Sequence, residues 1–162
     1  MKRFTLIYVW LLFLVLSVVA QEKVVKLKIV QTSDVHGNYY PYNFITRQEW
    51  KGSLARIYSF VQKERREYKE NLILLANGDI LQGQPTAYYY NYIDTVSPHL
   101  CAEMMNYMKY DAGNMGNHDV ETGRSVFDRW IGTCDFPILG ANIIDTSTGE
   151  TYLPPYKVLR RD

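Results

Sequence analysis

The chain has 162 residues, 47% hydrophobic and 22% charged, which excludes a disordered polymer and fits one modest globular domain or part of a larger one. Its formal net charge of +1 leaves no basic surplus for tracking a nucleic-acid backbone. Aromatic content is high at 14%, mostly from 14 tyrosines.

Residues 1–20 form a separate unit. Lys2 and Arg3 make a basic start, residues 4–19 are an almost unbroken apolar run, and Val18-Val19-Ala20 puts compact residues before Gln21. That pattern predicts a cleavable secretory signal, with cleavage after Ala20 and a periplasmic or extracellular mature chain. The competing reading is an uncleaved anchor, which is the one way this chain would engage a membrane. The run is near the lower limit of ~17 residues for a spanning helix. Gln21 rather than a cysteine follows the cleavage point, so a lipid anchor is not indicated. Removing the segment takes Lys2 and Arg3 with it and leaves the mature chain, 21–162, close to neutral.

Residues 24–32 (VVKLKIVQT) alternate apolar and polar, as expected for a strand entering a sheet, and the chain breaks at 34–38. Over 53–69 the apolar residues Leu54, Ile57, Tyr58 and Val61 recur at helical spacing, with Arg, Lys and Glu on the other face. Residues 72–76 (LILLA) are continuously apolar, which suits a parallel strand covered on both faces. Ser97 and then Pro98 predict a helix start with proline at the first helical position. Cys101, Met104, Met105 and Met108 follow at helical spacing and read as core filler rather than a soft-metal site. Residues 110–115 predict a brief extended stretch, and 124–131 a helix burying Val126, Phe127, Trp130 and Ile131. Residues 136–144 read as another strand, and 156–160 begin one more. Cys101 and Cys134 are the only cysteines. An exported chain could oxidise them, but two buried free thiols are the blander account.

This alternation of strands and helices predicts a mainly parallel α/β sheet with right-handed crossovers. In such sheets ligands bind beyond the carboxyl ends of the strands. Three strings fall at such ends: TSDVHG at 32–37, NGDILQG at 77–83 and GNHD at 116–119. Together they supply Asp34, His36, Asp79, Asn117 and His118. Two carboxylates, an imidazole and an amide oxygen begin a cage for a pair of divalent metals, with a second imidazole beside the reacting group. Such a pair activates a water and clamps phosphoryl oxygens, the chemistry that phosphoester hydrolysis requires. Asp79, on a tight turn after Gly78, is the candidate bridging carboxylate. Asn117 offers a carbonyl oxygen without adding negative charge, and His118 stands as the candidate acid or charge stabiliser. The mixed donors favour manganese, zinc, iron or cobalt over calcium.

Each residue taken singly has a blander use. Asp34 could cap a strand end and Asp79 could serve a turn. Asp119 could support its loop, while Glu121 could accept a hydrogen bond from His118 and orient it. His99 lies off the methionine stripe and reads as solvated or structural. The tyrosines at 88–90 and 92 could stack on a base, although packing over the sheet is the plainer use.

These strings resemble those of the calcineurin-like metallophosphoesterases, whose motifs run Asp-x-His, Gly-Asp, Gly-Asn-His-Asp/Glu and, later, a lone His and Gly-His-x-His. TSDVHGNYYPY, GSLAR at 52–56, NGDILQGQP, and FPILGANIID with TGETYLPPY are most similar to the exported nucleotidase branch. That branch holds 5′-nucleotidases and 2′,3′-cyclic-nucleotide 2′-phosphodiesterase/3′-nucleotidases. The resemblance implies a four-layer αββα sandwich, of which this chain holds the N-terminal half. It also implies a first metal on Asp34, His36 and Asp79, a second sharing Asp79 and adding Asn117, and His118 as the catalytic histidine. The implied substrate is a small nucleotide or other phosphoester, not a nucleic acid. The later histidine motifs do not occur, since His36, His99 and His118 are the only histidines. The expectation is therefore a partial catalytic domain over 21–162, incomplete and inactive alone. Its alternative is a non-catalytic remnant with at most weak metal binding.

Overall fold

The computed structural model describes residues 24–161, so the expected signal segment lies outside the described residues. Strand β1 (Lys28–Thr32) leads through a small antiparallel hairpin, β2 (Tyr42–Asn43) and β3 (Gln48–Glu49), into helix α1 (Leu54–Tyr68). A single 3-10 turn (Lys69–Asn71) then enters β4 (Leu72–Asn77). Helix α2 (Pro85–Tyr88) widens into a π-helical turn (Tyr89–Ile93), and α3 (Leu100–Met108) precedes β5 (Ala112–Asn114). The short α4 (Asn117–Glu121), then α5 (Arg124–Thr133), complete the crossover to β6 (Ile138–Leu139).

The sheet runs β1-β4-β5-β6, and every neighbouring pair is parallel. Sheet order thus follows chain order, and right-handed crossovers place the helices on one face. That is the parallel α/β architecture the sequence predicts. The second sheet and outer helix layer of a four-layer sandwich are not among the described residues.

Side-chain alternation sorts the faces. Val30 on β1 and Leu72, Leu74 and Ala76 on β4 join one core with Leu54 and Val61 of α1, Cys101, Met105 and Met108 of α3, and Trp130 of α5. On the same face Lys28 pairs with Glu64 of α1 at 2.8 Å. Ile29 points the other way and is 63% exposed. Helix α1 starts where Ser53, extended at φ −148, accepts the Arg56 N–H. It ends at Lys69 in a positive-φ conformation, with Arg65 and Arg66 facing the negative end of the helix dipole.

Several boundaries differ from expectation. Helix α3 begins at Leu100 rather than Pro98, because His99 is its N-cap and the imidazole accepts the Cys101 N–H at 3.3 Å. His99 is completely buried, which corrects the solvated alternative and leaves the structural one. The strand expected over 136–144 shrinks to Ile138–Leu139. The chain turns at Gly140, where Ile143 N–H donates back to its carbonyl, and Tyr152 N–H then pairs with Ile143. Ile144 and Thr151 make only an isolated bridge, and 156–160 enters no ladder. Val126 and Trp130 are buried as expected, whereas Phe127 and Ile131 are only partly so. Both thiols are free, with Cys101 buried and Cys134 half-buried.

Candidate metal centre

The three strings leave the carboxyl ends of β1, β4 and β5, which are neighbours in the sheet. Beyond the last rung of the ladder, the first two loops stay zipped together. Asp34 N–H donates to the Gly78 carbonyl at 3.2 Å, His36 N–H to Asp79 at 2.9 Å, and Gly37 N–H to Ile80 at 3.1 Å. Asp34, His36 and Asp79 all sit in the left-handed region, at φ 53, 47 and 56. Non-glycine residues adopt that region rarely, and it concentrates where a chain is strained for function. The third loop presses on the second. A Cβ on Gly78 would lie 2.3 Å from the Gly116 nitrogen, and a Cβ on Gly116 would lie 2.1 Å from Asp79 Oδ1. Only glycine permits either approach.

This geometry brings donor atoms of Asp34, His36 and Asp79 within 4.8 Å of one another. His36 Nε2 lies 3.8 Å from Asp34 Oδ1, and the Ser33 hydroxyl donates to the Asp34 carboxylate. Asp79 Oδ1 accepts the His118 backbone N–H at 2.9 Å. The His36 and His118 rings meet edge to face, with centroids 5.3 Å apart. Asn117 is exposed at the start of α4, between two residues that both touch Asp79. Two carboxylates and an imidazole gathered this closely fit a divalent transition metal, whose shell takes such oxygen and nitrogen donors.

Asp119 lies beneath this group, fully buried. Its carboxylate accepts N–H bonds from Asp79 at 2.8 Å, Ile80 and Leu81 at 2.9 Å and Gly116 at 3.0 Å, tying the second loop to the third. Burial raises its pKa above the ordinary carboxylate value, and the four donors offset only part of that rise. His118 Nδ1 is 2.9 Å from Glu121 Oε2. This bond raises the imidazole's pKa despite partial desolvation and lowers that of the carboxyl. Gln82 Nε2 donates to the same Glu121 oxygen at 3.3 Å.

Sequence reasoning singled out neither Gln82 nor Ser33, because an amide or hydroxyl in a loop carries no pattern of its own. The tyrosines correct another expectation. Tyr88, Tyr89 and Tyr92 stand substantially exposed rather than packed over the sheet. His99 is remote in role, its Nε2 bonded to Asn91 Oδ1 at 2.9 Å, and burial pulls its pKa down to about 4.

Comparison with known proteins supplies the family. The family model for calcineurin-like phosphoesterase matches residues 27–156. The trifunctional nucleotide phosphoesterase protein YfkN of Bacillus subtilis is 38% identical over 141 residues, covering 83% of this chain and 10% of that protein. A 2′,3′-cyclic-nucleotide 2′-phosphodiesterase/3′-nucleotidase of Yersinia enterocolitica is 29% identical over 143 residues, covering 86% of this chain and 22% of that enzyme. The chain thus spans less than a quarter of the length of these two relatives. The crystal structure of the calcineurin-like phosphoesterase YfkN from Bacillus subtilis superposes with a TM-score of 0.73 at 34% identity, covering 83% of this chain and 42% of that one. The matched segment contains all three loops, and on this evidence the chain belongs to the calcineurin-like phosphoesterases.

Proposed function

We propose that this chain is the metal-binding part of an exported nucleotide phosphohydrolase, of the 5′-nucleotidase or 2′,3′-cyclic-nucleotide phosphodiesterase type, working through two divalent ions. The observation that carries the reading is the convergence of Asp34, His36 and Asp79 within 4.8 Å at the carboxyl edge of a parallel sheet. The activities named for the relatives support a nucleotide as the phosphoester. The net charge of +1 supports a small molecule rather than a polymer of phosphates.

In this reading Asp34, His36 and Asp79 hold one ion, and Asp79 with Asn117 holds part of the other's shell. A metal pair, when bound, supplies a nucleophilic hydroxide and neutralises phosphoryl charge. The protein's own share is orientation and a proton. The Asp79 carboxylate is fixed by the His118 N–H, and its loop is fixed by Asp119. His118 Nδ1 is engaged by Glu121, so Nε2 is the nitrogen left to face a leaving oxygen. The raised pKa keeps a proton available there for donation to the departing alkoxide.

Calorimetric titration with Mn²⁺, and then with AMP, tests the reading. The expected result is Mn²⁺ binding by the wild-type chain, AMP binding that depends on the loaded metal, and loss of both in Asp79→Asn. Unchanged Mn²⁺ affinity in Asp79→Asn overturns the ligand assignment. A wild-type chain that takes up no Mn²⁺ is the non-catalytic remnant instead.

A further inference from the structure

At the end of the sheet opposite the metal group lies a hollow of about 330 Å³, lined by Arg65, Lys69, Glu70, Lys109, Asp111 and Arg161. Leu72, which also lines it, opens β4, and Asp111 stands just before β5, so the hollow belongs to the amino edge. The six residues of β4 rise about 3.3 Å each, which puts it on the order of 17 Å from the metal donors.

Four cations against two carboxylates leave two positive charges in excess. Asp111 is already engaged, since one carboxylate oxygen pairs with Arg161 and the other accepts the Leu74 N–H at 2.8 Å. Its carbonyl accepts Lys157 Nζ at 2.8 Å, which brings a further cation beside the hollow.

Helix ends account for part of this charge and not for all of it. Lys69 and Lys109 are the C-caps of α1 and α3, both at positive φ, and Arg65 Nη2 donates to the Lys109 carbonyl at 2.9 Å. Each helix terminus carries about half a unit of negative charge, so the two offset about one charge and leave the hollow positive. Arg65 Nη1 and Arg161 Nε are two of the four buried side-chain nitrogen and oxygen atoms that lack a hydrogen-bond partner among the described residues. Buried polar groups are nearly always partnered, and a guanidinium only donates. Two orphan guanidinium donors on the walls of one hollow therefore call for an acceptor there.

We infer that this hollow is a phosphate-binding site separate from the metal centre, in which Arg65 and Arg161 hold the oxyanion and Lys69 and Lys109 add positive charge. A guanidinium matches a tetrahedral oxyanion through paired, charge-assisted N–H bonds. The volume is at the lower end of the range for small-molecule sites, about 300–1,000 Å³, and suits a phosphate group, free or carried on a small organic molecule. The inference is independent of the hydrolase reading, because it uses no residue of the three metal loops.

Amide NMR of the full chain, stripped of metal and held at about 0.1 M NaCl, tests it. One arm titrates inorganic phosphate and the other glycerol 3-phosphate. The Lys69, Lys109 and Asp111 amides are expected to shift and saturate, while those of Asp34 and Asp79 stay in place. Tighter binding of the ester identifies an organic phosphate as the ligand, and equal or tighter binding of inorganic phosphate identifies the free anion. Arg161→Gln weakens binding about tenfold or more, the effect of one lost charge-assisted hydrogen bond. Lys109→Asn removes a charge while asparagine tolerates the left-handed turn, so the fold is kept and affinity falls about threefold or more. No saturable shift with either anion at millimolar concentration overturns the site. So do the same shifts from NaCl of equal ionic strength, or affinity unchanged in both variants. Shifts confined to the Asp34 and Asp79 loops would put the anion at the metal centre and overturn it as well.

Discussion

Asp119 accepts four backbone N–H groups from two loops that no regular structure connects, and it does so without solvent. Its value lies in setting the left-handed turn at Asp79 and the close approach of Gly116. Replacing one carboxylate oxygen by an NH₂ group in Asp119→Asn turns an acceptor into a donor facing donors. A buried N–H left unsatisfied costs about 1–3 kcal/mol, more where the lost partner was charged. The expected loss is about 3 kcal/mol of unfolding free energy in urea denaturation, with Mn²⁺ affinity falling as the Asp79 turn loosens. A loss below about 1 kcal/mol would mean that the loops hold themselves without this carboxylate. The sequence made the position of Asp119 visible, as the last residue of GNHD. Its fourfold role was not legible there, because its partners are backbone groups that no residue type announces.

At the scale of elements, His99 joins α3 to the π-helical turn before it. One ring nitrogen caps Cys101 N–H and the other faces Asn91 Oδ1, whose amide in turn donates to the Leu81 carbonyl at 2.7 Å. Both nitrogens are thus committed to the neutral ring, and burial, with Arg129 nearby, holds the folded pKa at about 4. The unfolded chain takes a proton near pH 6.5, so this group's stabilisation is complete above that pH and is lost as pH falls toward 4. The expected contribution is on the order of 3 kcal/mol over that window. Urea unfolding at pH 7 and pH 4.5 checks it, and His99→Gln should show a distinctly shallower loss than wild type across the interval. Equal slopes would place the acid sensitivity in the carboxylates alone. The long amphipathic α1 and the apolar β4 were readable because periodicity and continuous apolarity leave one interpretation. The two-residue strands of the hairpin were not, and β6 was expected over 136–144 but keeps only two residues, since tertiary hydrogen bonds rather than side-chain pattern define elements so short.

For the whole molecule, the decisive property is that three loops separated by tens of residues meet because β1, β4 and β5 are adjacent and parallel. The order of strands and helices predicted that meeting. The left-handed backbone at Asp34, His36 and Asp79, and the glycine contacts that permit it, depend on loop-to-loop packing and were hidden. Gathering two carboxylates and an imidazole within 4.8 Å also places like charges together in the metal-free state. A divalent ion that binds the folded arrangement and not the unfolded chain therefore stabilises the entire fold by mass action. At a free Mn²⁺ concentration of 100 times its dissociation constant, that linkage amounts to about 2.7 kcal/mol. Thermal or urea unfolding of the chain, with saturating Mn²⁺ and with a chelator, measures it directly. The expected outcome is a metal-dependent rise of this size in wild type and almost none in Asp79→Asn, whose amide oxygen keeps the turn but gives up the anionic donor. A wild-type chain that unfolds identically with and without Mn²⁺ would show that the three loops, although adjacent, do not act as one binding site.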